Sequence, residues 1–163
     1  MSRRFTVLSA MTLSLLITFA WTSLAVADDP KDEAIKKDRQ RIEGTWRIVG
    51  LSINGNPAKE GDIAKLTVIN RVDGTWTLRS EGEMVTKGTS TLDPTKKPKE
   101  IDFTATEGGG SGNHYLGIYQ LGDSKRKMCF APPGKPRPTE FESQPGSQII
   151  LVEFERKRTE SKN

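Results

Sequence analysis

A single cysteine, Cys129, stands in a chain of 163 residues. No intrachain disulfide can form, so stability has to come from packing even in an oxidising compartment. Histidine is equally scarce, with His114 alone. There is therefore no Cys pair and no His-x-x-x-His pair to hold zinc, and no acid-rich loop has calcium-site spacing. No cofactor and no metal are expected. Aromatic residues make up only 7% of the chain, and no alternation of aromatic and basic residues marks a stacking platform for nucleic acid. Neither sign of charge dominates: 25 Lys and Arg face 21 Asp and Glu, a balance of +4. The glycine-rich stretch Glu107–Asn113 lacks the Lys-Ser/Thr and the following helix of a phosphate-binding loop. At this length the chain holds one domain rather than a multidomain enzyme.

Only one long apolar run is present, and it is at the start. Arg3 and Arg4 precede Val7–Trp21, which Ser9, Thr12, Ser14 and Thr18 interrupt, and Ala25-Val26-Ala27 supplies small residues before Asp28. Residues 1–27 read as a secretory signal peptide cleaved before Asp28. The run is shorter and more broken than the roughly 20 residues of a transmembrane helix. No transmembrane span is expected in the mature chain, which is placed outside the cytoplasm, in the periplasm or beyond.

Asp29-Pro30 followed by Asp32 and Glu33 predicts a helix start: a capping acid, proline at the first position, acids at the positive dipole end. Residues 28–43 form this surface helix, a lid or plug, with Ile35 and Ile42 on one face and Gly44 ending it. From Gly44 the period becomes two. Strands are expected at Thr45–Ile53, Ile63–Asn70, Thr75–Arg79, Met84–Leu92, Glu100–Thr106, Tyr115–Leu121, Arg126–Ala131 and Gln148–Arg156. The turns between them include Asn54-Gly55, Asp73-Gly74 and Gly122-Asp123. A proline-rich connection spans Pro132–Gly146, and residues 159–163 form a disordered tail. The predicted fold class is all-β: eight short antiparallel strands in an up-and-down barrel over residues 44–158. A β-sandwich with Greek-key crossovers fits the same spacing, which does not establish closure.

Gly44-Thr45-Trp46 on the first strand, just after a short helix, resembles the motif that opens lipocalin and calycin barrels. There the Trp stacks on an Arg at the end of the last strand, the place Arg156 holds here. Further segments occur in order: Lys97-Pro98-Lys99-Glu100-Ile101-Asp102, Gly117-Ile118-Tyr119, Cys129, Arg137-Pro138-Thr139-Glu140-Phe141 and Phe154-Glu155-Arg156. Together they resemble a family of exported, lipocalin-like domains that planctomycete bacteria carry in many paralogous copies, matched over about Gln40–Arg156. The resemblance implies a lipocalin-like barrel and an exported location, with Gly44, Trp46, Asp102, Gly117, Arg137, Pro138, Phe141 and Arg156 as its structural motif. It carries over no catalytic residue. Arg126 departs from it, standing where an apolar strand residue is expected.

No catalytic constellation emerges. Nucleophilic catalysis needs a nucleophile, a base and an orienting group within reach of one another, and nothing in the spacing of Cys129 and His114 pairs them. The basic clusters Lys96–Lys99, Lys125–Lys127 and Arg156–Arg158 read as solvated strand ends, not a nucleic-acid surface. Trp76, Phe103, Tyr119 and Phe130 lie on four strands, and in a closed barrel they are the candidate ligand-binding residues. They either line a cavity for a small apolar ligand or fill the core outright. Two functions follow. One is a non-enzymatic, monomeric binding module for a small apolar or amphipathic molecule. The other is a structural or interaction domain with a filled core, acting through its surface on an envelope protein.

Overall fold

Asp29 opens the described part of the chain, residues 29–158 of the computed structural model. The expected signal peptide at 1–27 and the tail at 159–163 lie outside the described residues. The Asp29 carboxylate accepts the Lys31 N–H at 2.8 Å and caps helix α1 (Pro30–Ile42), with Asp32 and Glu33 in the first turn and Arg39 and Arg41 in the last. Both dipole ends thus carry complementary charge.

Nine strands and one helical turn follow: β1 (Gly44–Ile53), β2 (Asn56–Pro57), α2 (Glu60–Ile63), β3 (Leu66–Asn70), β4 (Thr75–Ser80), β5 (Glu83–Asp93), β6 (Lys99–Gly108), β7 (His114–Leu121), β8 (Lys125–Phe130) and β9 (Ile150–Arg156). Each strand from β3 to β8 pairs antiparallel with the next. β1 closes the ring, pairing through Gly44–Arg47 with β3 and through Trp46–Ile53 with β9. The two-residue β2 only folds back on β1. The fold is therefore a closed eight-stranded antiparallel up-and-down barrel with one short helix before it. Closure rules out the sandwich and leaves no free edge among the eight strands.

Two strand starts differ from expectation by more than one residue. Ile63 was to open the second expected strand, but that strand, β3, begins at Leu66. Asn54 and Gly55 both take positive φ (54° and 78°), the chain turns back for two residues, and it then crosses the barrel end as α2. Ile63 on α2 is buried in the core. The last strand starts at Ile150 rather than Gln148, whose φ of 58° is incompatible with extended backbone.

The barrel has two unlike ends. One gathers the start of β1, the end of β5 and the end of β9, and α1 plugs it. The other gathers the β4–β5 turn, the glycine-rich loop after β6 and α2. The long connection after β8 returns across the outer face of β6 to β8. Arg137 fastens it there, donating Nη2 to Asp102 at 3.0 Å and Nη1 to the Gly117 carbonyl at 2.6 Å. Among the described residues no helix is long and apolar enough to cross a membrane.

Candidate ligand-binding cavity

Alternation along the strands sends every second side chain into the barrel. The interior does not fill. A cavity of about 260 Å³ remains, bounded on one side by Ile48, Val68, Leu78, Val152 and Phe154 and on the other by an aromatic wall. Phe103 is the centre of that wall. Trp76 meets it edge-on at 5.3 Å, Phe130 edge-on at 4.6 Å, and Tyr115 stacks on it at 4.5 Å. Glycine opposite makes the wall possible. A Cβ on Gly88 would collide with the Thr104 carbonyl and come within 2.8 Å of the Trp76 ring, and one on Gly117 would collide with the Phe130 ring. Trp76 has its own polar need met, donating Nε1 to the Thr89 carbonyl at 3.0 Å.

Toward the plugged end the lining turns polar, with Asn70 and Ser90. Ser90 Oγ donates to the Gly74 carbonyl at 3.0 Å and accepts from Arg39 Nη1 at 2.7 Å, while its carbonyl accepts from Arg39 Nη2. Burial lowers the pKa of that guanidinium. Asn70 is different. Its Nδ2 is shielded from solvent and has no hydrogen-bond partner.

Beneath this floor α1 is held by charge. Asp38, only 3% exposed, accepts from Tyr119 Oη at 2.8 Å and Lys99 Nζ at 2.6 Å. Burial, and then the Asp38 carboxylate, push the Tyr119 hydroxyl far above its ordinary pKa. Trp46 donates Nε1 to the Ile42 carbonyl at 2.7 Å. The Arg156 guanidinium lies 4.3 Å from the Trp46 ring and donates to the Glu43 and Arg41 carbonyls, both at 2.6 Å. A second cation joins them. Arg126 is 3% exposed, 4.4 Å from the Trp46 ring and 4.3 Å from that of Phe154, and its Nε and Nη1 have no partner. Burial drives its pKa well down, and Arg156 adds to the effect.

Of the four aromatic residues singled out in the sequence, Trp76, Phe103 and Phe130 line the cavity. Tyr119 does not. It lies further along β7 toward α1, where the plug takes the space and Asp38 takes the hydroxyl. Gly44, Trp46 and Arg156 meet at the plugged end. Asp102, Gly117 and Arg137 meet on the outer face, where hydrogen bonding to Asp102 raises the Arg137 pKa; Pro138 and Phe141 are part-buried in the same connection. The run Lys125–Lys127 is not a solvated strand end throughout. Lys127 pairs with Glu153 at 2.8 Å, but Arg126 faces inward in register with Met128 and Phe130.

Cys129 is fully buried under the connection, its Sγ 3.5 Å from the Glu142 carbonyl, and burial raises its pKa. It pairs across to Ile118, and His114 lies four residues further along β7, about 13 Å away. His114 Nδ1 is 2.9 Å from Thr104 Oγ1. Cys129 and His114 are not brought together. Among the described residues no three His, Cys, Asp or Glu side chains are grouped to hold a metal ion.

Asp38, Asn70 and Ser90 escaped the reading of the sequence, yet each left a sign. Asp38 interrupts the Ile35–Ile42 stripe of the helix, Asn70 continues the inward row Leu66, Val68, and Ser90 the row Thr86, Gly88. Comparison with known proteins adds nothing to this geometry: no family model, no curated protein and no solved structure matches the chain.

Proposed function

We propose that this chain is an exported, lipocalin-like binding module that holds a small apolar or amphipathic molecule in its barrel and catalyses no reaction on it. The observation that carries the reading is the cavity of about 260 Å³ behind the Trp76–Phe103–Phe130 wall. A void that size in a well-packed core costs stability in proportion to its volume. It lies just under the roughly 300–1,000 Å³ of common ligand pockets, and its mainly apolar walls with a few polar groups match their composition. The lipocalin likeness rests on Trp46 and Arg156, residues from the two ends of the barrel sequence that stack as the motif requires. Kinship with the exported planctomycete domains and a monomeric state belong to the same proposal. Export rests on Arg3, Arg4 and Ala25-Val26-Ala27.

The test is a neutral apolar fluorescent dye small enough for the cavity, 1-methylnaphthalene, titrated into the native protein. Saturable binding near micromolar Kd, about −8 kcal/mol, is expected. Ala105 is buried and lines the cavity, so Ala105→Leu should weaken the dye at least about tenfold while, by filling the void, leaving the protein as stable or more so. Dye that binds only on partial unfolding, or that ignores Ala105→Leu, would overturn the proposal in favour of a domain acting through its surface.

A further inference from the structure

We infer that the occupant is a rigid, planar molecule of one or two aromatic rings whose single uncharged hydroxyl seats against Asn70. This rests on the cavity being a ligand site and goes on to name the ligand's chemical class.

Size comes first. At about 30 Å³ per water, 260 Å³ is the bulk volume of about nine water molecules, so the occupant's body has on the order of ten non-hydrogen atoms. Shape comes from the wall. Trp76 and Phe130 both present themselves edge-on to Phe103, at interplanar angles of 84° and 87°. A flat ring inserted beside them continues the same edge-to-face and stacked contacts. A flexible chain of equal volume covers the same apolar surface, but it must freeze its rotamers to do so, whereas a ring has none to lose.

The head follows from the floor. No charged side chain lines the cavity, so an ionised head would be buried without a partner, which is costly. Of the cations at that end, Arg39 is engaged with Ser90 Oγ and the Ser90 carbonyl, and Arg126 lies between the Trp46 and Phe154 rings and does not line the cavity. Asn70 Nδ2 is the group left wanting. A hydroxyl both donates and accepts, so it satisfies the amide whichever way the amide is turned. A hydrocarbon leaves Nδ2 unpaired.

Calorimetric titration of the purified protein with 1-naphthol, naphthalene, 1-naphthoate and 1-decanol separates these elements. 1-Naphthol is expected to bind roughly tenfold tighter than naphthalene, the margin that one satisfied buried polar group confers, and tighter than 1-naphthoate or 1-decanol. Asn70→Leu should erase the preference for 1-naphthol over naphthalene. In the unaltered protein, 1-naphthol should move the Asn70 side-chain amide protons downfield of where the naphthalene ring current alone leaves them, which keeps the test independent of how the variant folds. Equal affinity for 1-naphthol and naphthalene, or a preference that survives Asn70→Leu, overturns the hydroxyl–Asn70 contact. Tighter 1-naphthoate overturns the uncharged head, and tighter 1-decanol the planar body. In each of those cases the cavity still binds. Failure of all four compounds overturns the proposed function as well.

Discussion

Arg126 is the residue least expected where it stands. Its guanidinium is buried between the rings of Trp46 and Phe154, Nε and Nη1 are unpaired, and a second arginine, Arg156, stacks on the same indole. Each cation–π contact contributes about 0.5–2 kcal/mol. Against that stands the cost of taking a guanidinium out of water with no carboxylate beside it, several kcal/mol. Desolvation outweighs the ring contacts, so Arg126→Met, which keeps the length and apolar contact of the side chain, is predicted to leave stability unchanged or raise it by about 1–3 kcal/mol in urea denaturation. A loss above about 2 kcal/mol would mean that the aromatic sandwich outweighs the desolvation. Residues of this kind were the hardest to place from sequence. Period-two alternation sorts strand residues onto two faces, but it assigns them by polarity, and Arg126, Asn70 and Ser90 face inward against that polarity. Phe130 was expected inward, and only the three-dimensional packing reveals that its row runs back through Met128 to a cation.

At the scale of elements, α1 was legible in its ends and not in its purpose. Asp29, Pro30, Asp32 and Glu33 announce the start through local chemistry alone. What the helix does depends on Asp38, Arg39 and Arg41 meeting groups 50 and more residues away, such as Lys99, Tyr119, Ser90 and Leu121. No local signal carries that. The first turn of the helix is tied to the end of β5 by Lys31 Nζ and Asp93 Oδ2 at 2.9 Å. The Thr95 hydroxyl, and after it Lys31, lower the Asp93 carboxyl from an ordinary 3.8 to about 2. The Arg47 guanidinium likewise lowers Glu155, and the Thr75 N–H and hydroxyl lower Asp73. A carboxyl with a depressed folded-state pKa contributes stability above its unfolded value and loses it as pH falls through the folded value. The contribution of Asp93 is therefore complete above about pH 4 and lost toward pH 2. Asp93→Asn is predicted to be less stable than the unaltered protein at pH 7, with the gap closing between pH 4 and pH 2 in thermal melts. A gap that stays constant over that range would contradict the assigned tether.

The whole molecule was the most legible level. Regular turn signals and short alternating strands imply consecutive hairpins, and hairpins in series make a meander. Closure was not legible, because it depends on β1 serving two neighbours, β3 through its first residues and β9 through its later ones. The cavity was not legible either. Whether inward aromatic residues fill a barrel or line it depends on the glycines opposite them, and the room made by Gly88 and Gly117 emerges only once register is known. Whether this room exists to be occupied is decided by native mass spectrometry of the protein isolated from its own source without denaturation. The expected species is a chain beginning at Asp28 that carries, one to one, an added mass of roughly 100–200 Da, the weight of about ten non-hydrogen atoms in a cavity that size, released on acid denaturation. A protein that flies at the bare mass of its chain from every gentle preparation, and binds none of the aromatic probes afterwards, would contradict a ligand-holding barrel.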